Sequence, residues 1–124
     1  MGLNEKSFQM QVLKTLAQGQ GALVEVGGFL DAHTVAGFEK QMNALVDNQA
    51  SRIILDLSKL NYISSAGIGA MMSLLQRLRR ESGDLVLWRP SPKVFKILEL
   101  LGFTGIFRIA ATEEEAWTQL RIEA

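Results

Sequence analysis

Asp56–Gly69 reads DLSKLNYISSAGIG, and it joins two different periodicities. On its N-terminal side the run Arg52–Leu57, with Ile53, Ile54, Leu55 and Leu57, is short, branched and apolar between polar neighbours, the pattern of a buried strand. On its C-terminal side Ile68, Met71, Met72, Leu75 and Leu78 recur at three- and four-residue intervals, which predicts a helix over Ala66–Arg80 with one buried face. Gln76, Arg77, Arg79 and Arg80 fall mostly on the other face. Ser64 and Ser65 stand at the start of that helix, where a hydroxyl can cap the free amides of the first turn. The same position is the positive end of the helix dipole, so a phosphate added there is electrostatically tolerated.

Working outward, Phe8, Met10 and Val12 alternate with polar neighbours, predicting a half-buried strand over Phe8–Leu16. Gln18–Gly21 is a turn signal, and Ala22–Val26 completes a hairpin that Gly27 and Gly28 end. Asp31 offers a helix cap; Val35, Phe38, Met42, Leu45 and Val46 give that helix an apolar face to about Asp47. Beyond the central helix, Gly83 is a stop and Leu85–Trp88 a strand. Ser91 and Pro92 start a helix whose buried side is Val94, Ile97, Leu98 and Leu101. Ile106–Ile109 reads as a last strand, and Thr112–Glu115 as a capping box opening a final helix with Ala116, Trp117 and Leu120 packed. The order β-β-α-β-α-β-α-β-α predicts a mixed sheet with helices packed against it. No repeat or linker divides residues 1–124, so one domain is expected, its core at about 8–120.

The 124 residues are 48% hydrophobic and 21% charged, a globular composition. Thirteen basic residues balance thirteen acidic ones, which gives no support for nucleic-acid or membrane-surface binding. The absence of cysteine excludes disulfides, a thiol nucleophile and thiolate metal sites, and is compatible with the cytoplasm. The start, MGLNEKSFQM, lacks the apolar core of a signal peptide, and no stretch is long enough for a membrane span. Gly2 with Ser7 misses the myristoylation spacing by one residue.

Little catalytic chemistry is legible. Gly67-Ile68-Gly69 follows a strand and opens a helix, but Met72 stands where a dinucleotide loop has its third glycine and no P-loop lysine follows. The alternative is that Gly67 and Gly69 allow close backbone packing. His33 is the only histidine, too few for a typical zinc site, and Ser65 has no nucleophile elbow around it. No catalytic residue, metal or cofactor is therefore expected. Arg77, Arg79 and Arg80 read as a solvated helix face and Met71 and Met72 as core.

Taken together, four segments resemble the STAS domain family and, within it, the bacterial anti-sigma factor antagonists. Gly28-Phe29-Leu30-Asp31, followed by Thr34, is similar to the family's Gly-x-Leu-Asp motif. Ile54–Leu57 with Tyr62-Ile63 resembles its third strand and the loop beyond. Ser64–Gly69 is similar to the signature Asp-Ser-Ser/Thr/Ala-Gly-Leu-Gly. Ser91–Val94 with Leu100–Phe103 resembles the third helix. The likeness covers about Phe8 to Leu120.

This resemblance implies an α/β fold, a mixed sheet of about five strands with about four helices mainly on one side. It also implies a cytoplasmic, non-enzymatic partner switch in transcription regulation. The unphosphorylated protein would bind an anti-sigma factor that is also a serine kinase; phosphorylation would release it and a serine phosphatase reset it. Aligned on Gly67–Gly69, the phosphoacceptor is Ser65. The implied partner surface is Phe29, Asp31, Ser64, Ser65, Gly67 and Gly69. Two residues depart from the family pattern: Ser64 stands where the family has aspartate, and Phe29 where it commonly has glutamate. The alternative is a STAS module used constitutively, as a scaffold or regulatory subunit of a larger complex. If the strands Ala22–Val26 and Arg52–Leu57 are parallel neighbours, the turns after them emerge at one sheet edge, the edge that ligand sites in open α/β sheets favour.

Overall fold

The computed structural model describes residues 7–123, so the reading of Gly2 and the rest of residues 1–6 lies outside them. Five strands form one sheet whose spatial order is the chain order: β1 (Phe8–Leu16), β2 (Gly21–Leu30), β3 (Arg52–Ile63), β4 (Asp84–Trp88) and β5 (Arg108–Ala110). β1 and β2 are an antiparallel hairpin; β2, β3, β4 and β5 run parallel. The helices α1 (Val35–Asp47), α2 (Ser65–Arg80), α3 (Pro92–Leu100) and α4 (Glu113–Gln119) supply the crossovers and the C-terminal cover.

Alternation along the strands sorts the side chains onto two faces. Val24, Val26, Ile53, Leu55 and Leu87 meet Phe38 and Met42 of α1, Met71 and Leu75 of α2, and Val94 and Leu98 of α3. Leu23, Ile54 and Val86 point the other way, onto Ala116, Trp117 and Leu120 of α4 and its tail. Three helices therefore cover one face and one short helix the other. This is the mixed five-stranded sheet with helices mainly on one side that was expected.

Several boundaries differ. β3 does not stop at Leu57 but continues to Ile63, and β2 does not end at Gly27–Gly28 but reaches Leu30. The two pair as far as Phe29 with Tyr62 and Leu30 with Ile63, with register shifts at Glu25/Gly27 and Gly28/Phe29. At each of those shifts β3 spends one extra residue, so the polar run Ser58–Asn61 that reads as a loop is a bulged strand. Gly28 permits the distortion with φ +86°, a region open to glycine. Asp31 caps a turn rather than α1, which starts at Val35. Leu101 is exposed, because α3 ends at Leu100 and Gly102 turns the chain away with φ +80°. The last strand is Arg108–Ala110, preceded by a single 3-10 turn, and Ile106 is exposed. Val12 is also exposed, beside a bulge in β1.

Candidate functional site

The carboxyl ends of β2 and β3 are joined directly. The Ser64 N–H donates to the Leu30 carbonyl at 2.9 Å, so the turn after β3 hangs on the last residue of β2. Gly67 fixes how close the two approach. A Cβ on it would lie 2.6 Å from the Leu30 carbonyl oxygen and 2.9 Å from side-chain carbons of Leu30 and Ile63. Close packing is therefore the role of Gly67. It is not the role of Gly69, which is exposed and has open space where a Cβ would be.

The turn after β2 is held by its own side chains. Thr34 Oγ1 donates to the Phe29 carbonyl at 2.7 Å and accepts from the Asp31 N–H at 3.0 Å. Asp31 Oδ1 accepts from the His33 N–H at 2.9 Å, while the Asp31 carbonyl receives the N–H groups of Thr34 and Val35. His33 is exposed in this turn, ahead of the helix rather than inside it. The family-like residues Gly28, Phe29, Leu30, Asp31 and Thr34 thus shape a rigid turn next to the start of α2.

At that start, Ser64 occupies the N-cap position, its Oγ accepting from the Gly67 N–H at 3.4 Å, and its carbonyl accepts from Ile68. Ser65 is the first helical residue, exposed, with no hydrogen bond from its side chain among the described residues. The two serines divide the work: one completes the backbone of the turn and the other presents a free hydroxyl at the positive end of a sixteen-residue helix. Ser65 and Gly69 lie one turn apart on the exposed side of α2.

Phe29 is half-buried rather than fully exposed. Its ring is tilted against Tyr62, with centroids 6.3 Å apart, and Lys93 Nζ lies 5.7 Å from the Tyr62 centroid. The edge therefore carries an aromatic pair flanked by a cation from the first turn of α3. Pairing across β2 and β3 creates this row, so Tyr62 and Lys93 could not be picked from sequence spacing.

A second feature escaped the sequence reading. Asp56 has no exposed surface, yet it is an acid in the middle of β3. Arg89, in the connection to α3, holds it through Nε at 3.1 Å and Nη2 at 3.0 Å, and the Ser58 N–H adds a third bond at 3.0 Å. Burial pushes the Asp56 carboxyl up, but the bonds from Arg89 and Ser58 outweigh it and leave the group below the ordinary carboxylate range. The Arg89 guanidinium also lies 4.0 Å from the Trp88 ring centroid. Ser91 completes the tie, donating to the Leu60 carbonyl at 2.6 Å. The start of α3 is thus fastened to β3 on the same edge as the two turns.

The basic residues of α2 are mostly engaged. Arg77 reaches Asn43 and Asp47 of α1 and Glu81, clamping the two helices, and Arg79 meets Asp84. No cluster of potential metal ligands exists among the described residues, and no helix among them is long and apolar enough to cross a membrane.

Comparison with known proteins agrees with this architecture. The family described as STAS domain matches residues 4–116. The protein BtrV of Bordetella bronchiseptica is 36% identical over 89 residues, 72% of this chain and 77% of that one. The anti-sigma F factor antagonist of Paenibacillus polymyxa is 28% identical over 101 residues, 81% of this chain and 86% of that one. Among solved structures, the anti-sigma factor antagonist SpoIIAA in its unphosphorylated form has a TM-score of 0.73 at 25% identity, over 93% of this chain and 96% of that one. The phosphorylated form of the Bacillus protein gives 0.65 at 24% identity, over 93% and 100%. With a family match over nearly its whole length and a relative at this level of identity, the chain belongs to the STAS domain family.

Proposed function

We propose that the protein is an anti-sigma factor antagonist that works as a cytoplasmic partner switch, with Ser65 as its phosphoacceptor. In this reading it binds an anti-sigma factor that is also a serine kinase, through a surface that includes Phe29, Asp31, Ser64, Ser65 and Gly69; Gly67, expected on that surface, is buried against Leu30 and shapes it from below. The kinase transfers the terminal phosphoryl group of ATP to Ser65 Oγ, the hydroxyl proton leaves to a base on the kinase, and ADP departs. A serine phosphatase reverses the modification by hydrolysis.

The observation that carries the proposal is the exposed, unengaged hydroxyl of Ser65 on the first residue of α2, beside the turn that holds Asp31. A phosphate there adds about −1.5 to −2 charges to the docking surface. The helix start tolerates the charge, so binding is lost while the fold is kept. The relatives named as antagonists, and the two phosphorylation states of SpoIIAA, support the same reading.

The test is incubation with a cognate anti-sigma serine kinase and ATP, followed by intact-mass measurement. One added phosphate that disappears in Ser65→Ala is expected; no added phosphate, or phosphate that survives Ser65→Ala, refutes the assignment. Phe29→Ala should weaken partner binding by about 1–3 kcal/mol if the partner buries that ring. A second reading, a constitutively bound subunit, is favoured by one observation: Ser64 caps α2 with an uncharged side chain where the family pattern has aspartate. It predicts that Ser65→Asp leaves partner affinity unchanged.

A further inference from the structure

We infer that the opposite edge of the sheet carries a binding pocket for a small oxoanion of the phosphate class. The strands β3, β4 and β5 begin there, and α4 ends there, so Arg52, Asp84, Arg108, Gln119 and Arg121 converge on one pocket of about 200 Å³. That is roughly six or seven water volumes, room for a phosphate group with some of its hydration. It lies at the reverse end of the strands from Ser65, because β3 and β4 run parallel from this pocket toward the serine edge.

The charge balance selects the ligand. Three arginines line the pocket against one acidic residue. That carboxylate is already divided: Asp84 Oδ2 accepts from Arg108 Nε at 2.9 Å, and Oδ1 accepts from Arg79 Nε at 3.2 Å and from the Leu85 N–H at 2.8 Å. Among the described residues no carboxylate lies within 4.0 Å of the guanidinium of Arg52 or Arg121. Arg121 also borders a shallow groove with Glu113, Glu114 and Glu123, of which Glu113 is already paired with Lys14. A planar guanidinium offers paired donors that match an oxoanion.

Gln119 is the second, independent observation. It is the last residue of α4, it lines this pocket, and its Oε1 is buried with no hydrogen-bond partner among the described residues. A buried acceptor without a donor is uncommon in folded proteins. That oxygen is covered as the side chain stands, so Gln119 meets an anion only by swinging out of this unsatisfied position, when Nε2 can donate to it.

The experiment uses the full chain in a buffer without oxoanions. Thermal denaturation and isothermal titration are run with inorganic phosphate, with glycerol phosphate as a phosphomonoester, and with chloride at matched ionic strength. Saturable stabilisation by phosphate, the monoester or both, absent with chloride, is expected. A response to phosphate alone assigns the free ion; an equal or larger response to the monoester assigns an esterified ligand. Arg52→Met and Arg121→Asn should each weaken binding at least about tenfold while melting normally without ligand. Asn is used at 121 because that residue has φ +61°, which Asn tolerates. If chloride stabilises equally, if no saturation is reached by about 20 mM, or if both variants bind as the native chain does, the inference is overturned.

Discussion

Replacing Arg89 by Ala tests how the start of α3 is held. The change removes two charge-assisted hydrogen bonds to Asp56, at 3.1 and 3.0 Å, and leaves a carboxylate with 0% exposed surface supported by the Ser58 N–H. Breaking a fully buried pair costs about 3–5 kcal/mol. Arg89 itself is 52% exposed, so water screens part of the attraction and the expected loss falls to about 2–3 kcal/mol. For a chain of this length that corresponds to a fall in melting temperature of roughly 6–12 °C. The pH dependence has a definite sign. In the native protein the Asp56 carboxyl is held below its unfolded value, so its contribution is present above about pH 4 and lost as pH falls through the folded value. In Arg89→Ala only the Ser58 bonds still oppose burial, so the folded value rises above that of the native protein and the stabilisation gained as pH rises from about 4 shrinks. The gap between the two proteins must therefore be widest near pH 7 and narrow toward pH 4. Urea unfolding at both pH values measures it. A gap below about 1 kcal/mol at pH 7, or one equal at both, would refute the reasoning. Adding Asp56→Asn to Arg89→Ala should recover part of the loss, because a neutral amide costs less to bury than a lone carboxylate.

Gly67→Ala should destabilise the fold by about 1–3 kcal/mol, since its Cβ meets the Leu30 carbonyl at 2.6 Å, whereas Gly69→Ala should stabilise α2 by up to about 1 kcal/mol; equal effects in chemical denaturation would discard the close-packing account. Ser64→Ala should cost about 0.5–1 kcal/mol through the lost cap and Ser65→Ala less than about 0.5, which urea titration of both can separate. The Lys14 ammonium and the Trp117 indole N–H, both bonded to Glu113, hold its carboxyl below the ordinary range. Trp117 fluorescence, read in a Trp88→Phe background, should therefore show a transition on acidification that lies below the usual carboxylate range. The transition should vanish in Glu113→Gln; one that persists there belongs to another group.

The helices were legible because their apolar residues repeat at one period and their starts carry serine, proline or threonine with glutamate. α2 was placed to within a residue at its start, and Trp117 is buried as expected. The same reading failed on β3, where Ser58, Lys59 and Asn61 look like a loop. Only pairing with β2 shows that bulges absorb them, and pairing is not a local property of the chain. The candidate edge was foreseeable from two strand-to-helix turns in parallel, and the Ser64–Leu30 hydrogen bond joins those turns. Its aromatic row and the Asp56–Arg89 pair were not, because Phe29 and Tyr62, or Asp56 and Arg89, are separated by about thirty residues and meet only across strands. Gly69 was misread for the opposite reason: spacing made it look equivalent to Gly67, but only the side of α2 that carries Gly67 faces Leu30.

Because the sheet order follows the chain order, each strand leaving the ribosome finds its partner already made. The face under α1, α2 and α3 can close progressively as those helices emerge. The other face cannot. Leu23, Ile54 and Val86 wait for Ala116, Trp117, Leu120 and Ile122, which follow all five strands in the chain. Until then the nascent domain has a formed sheet with one apolar side in water, a state prone to aggregate or to recruit chaperones. A premature stop between β5 and α4 would therefore yield a chain with every strand of the sheet but no cover for its second face.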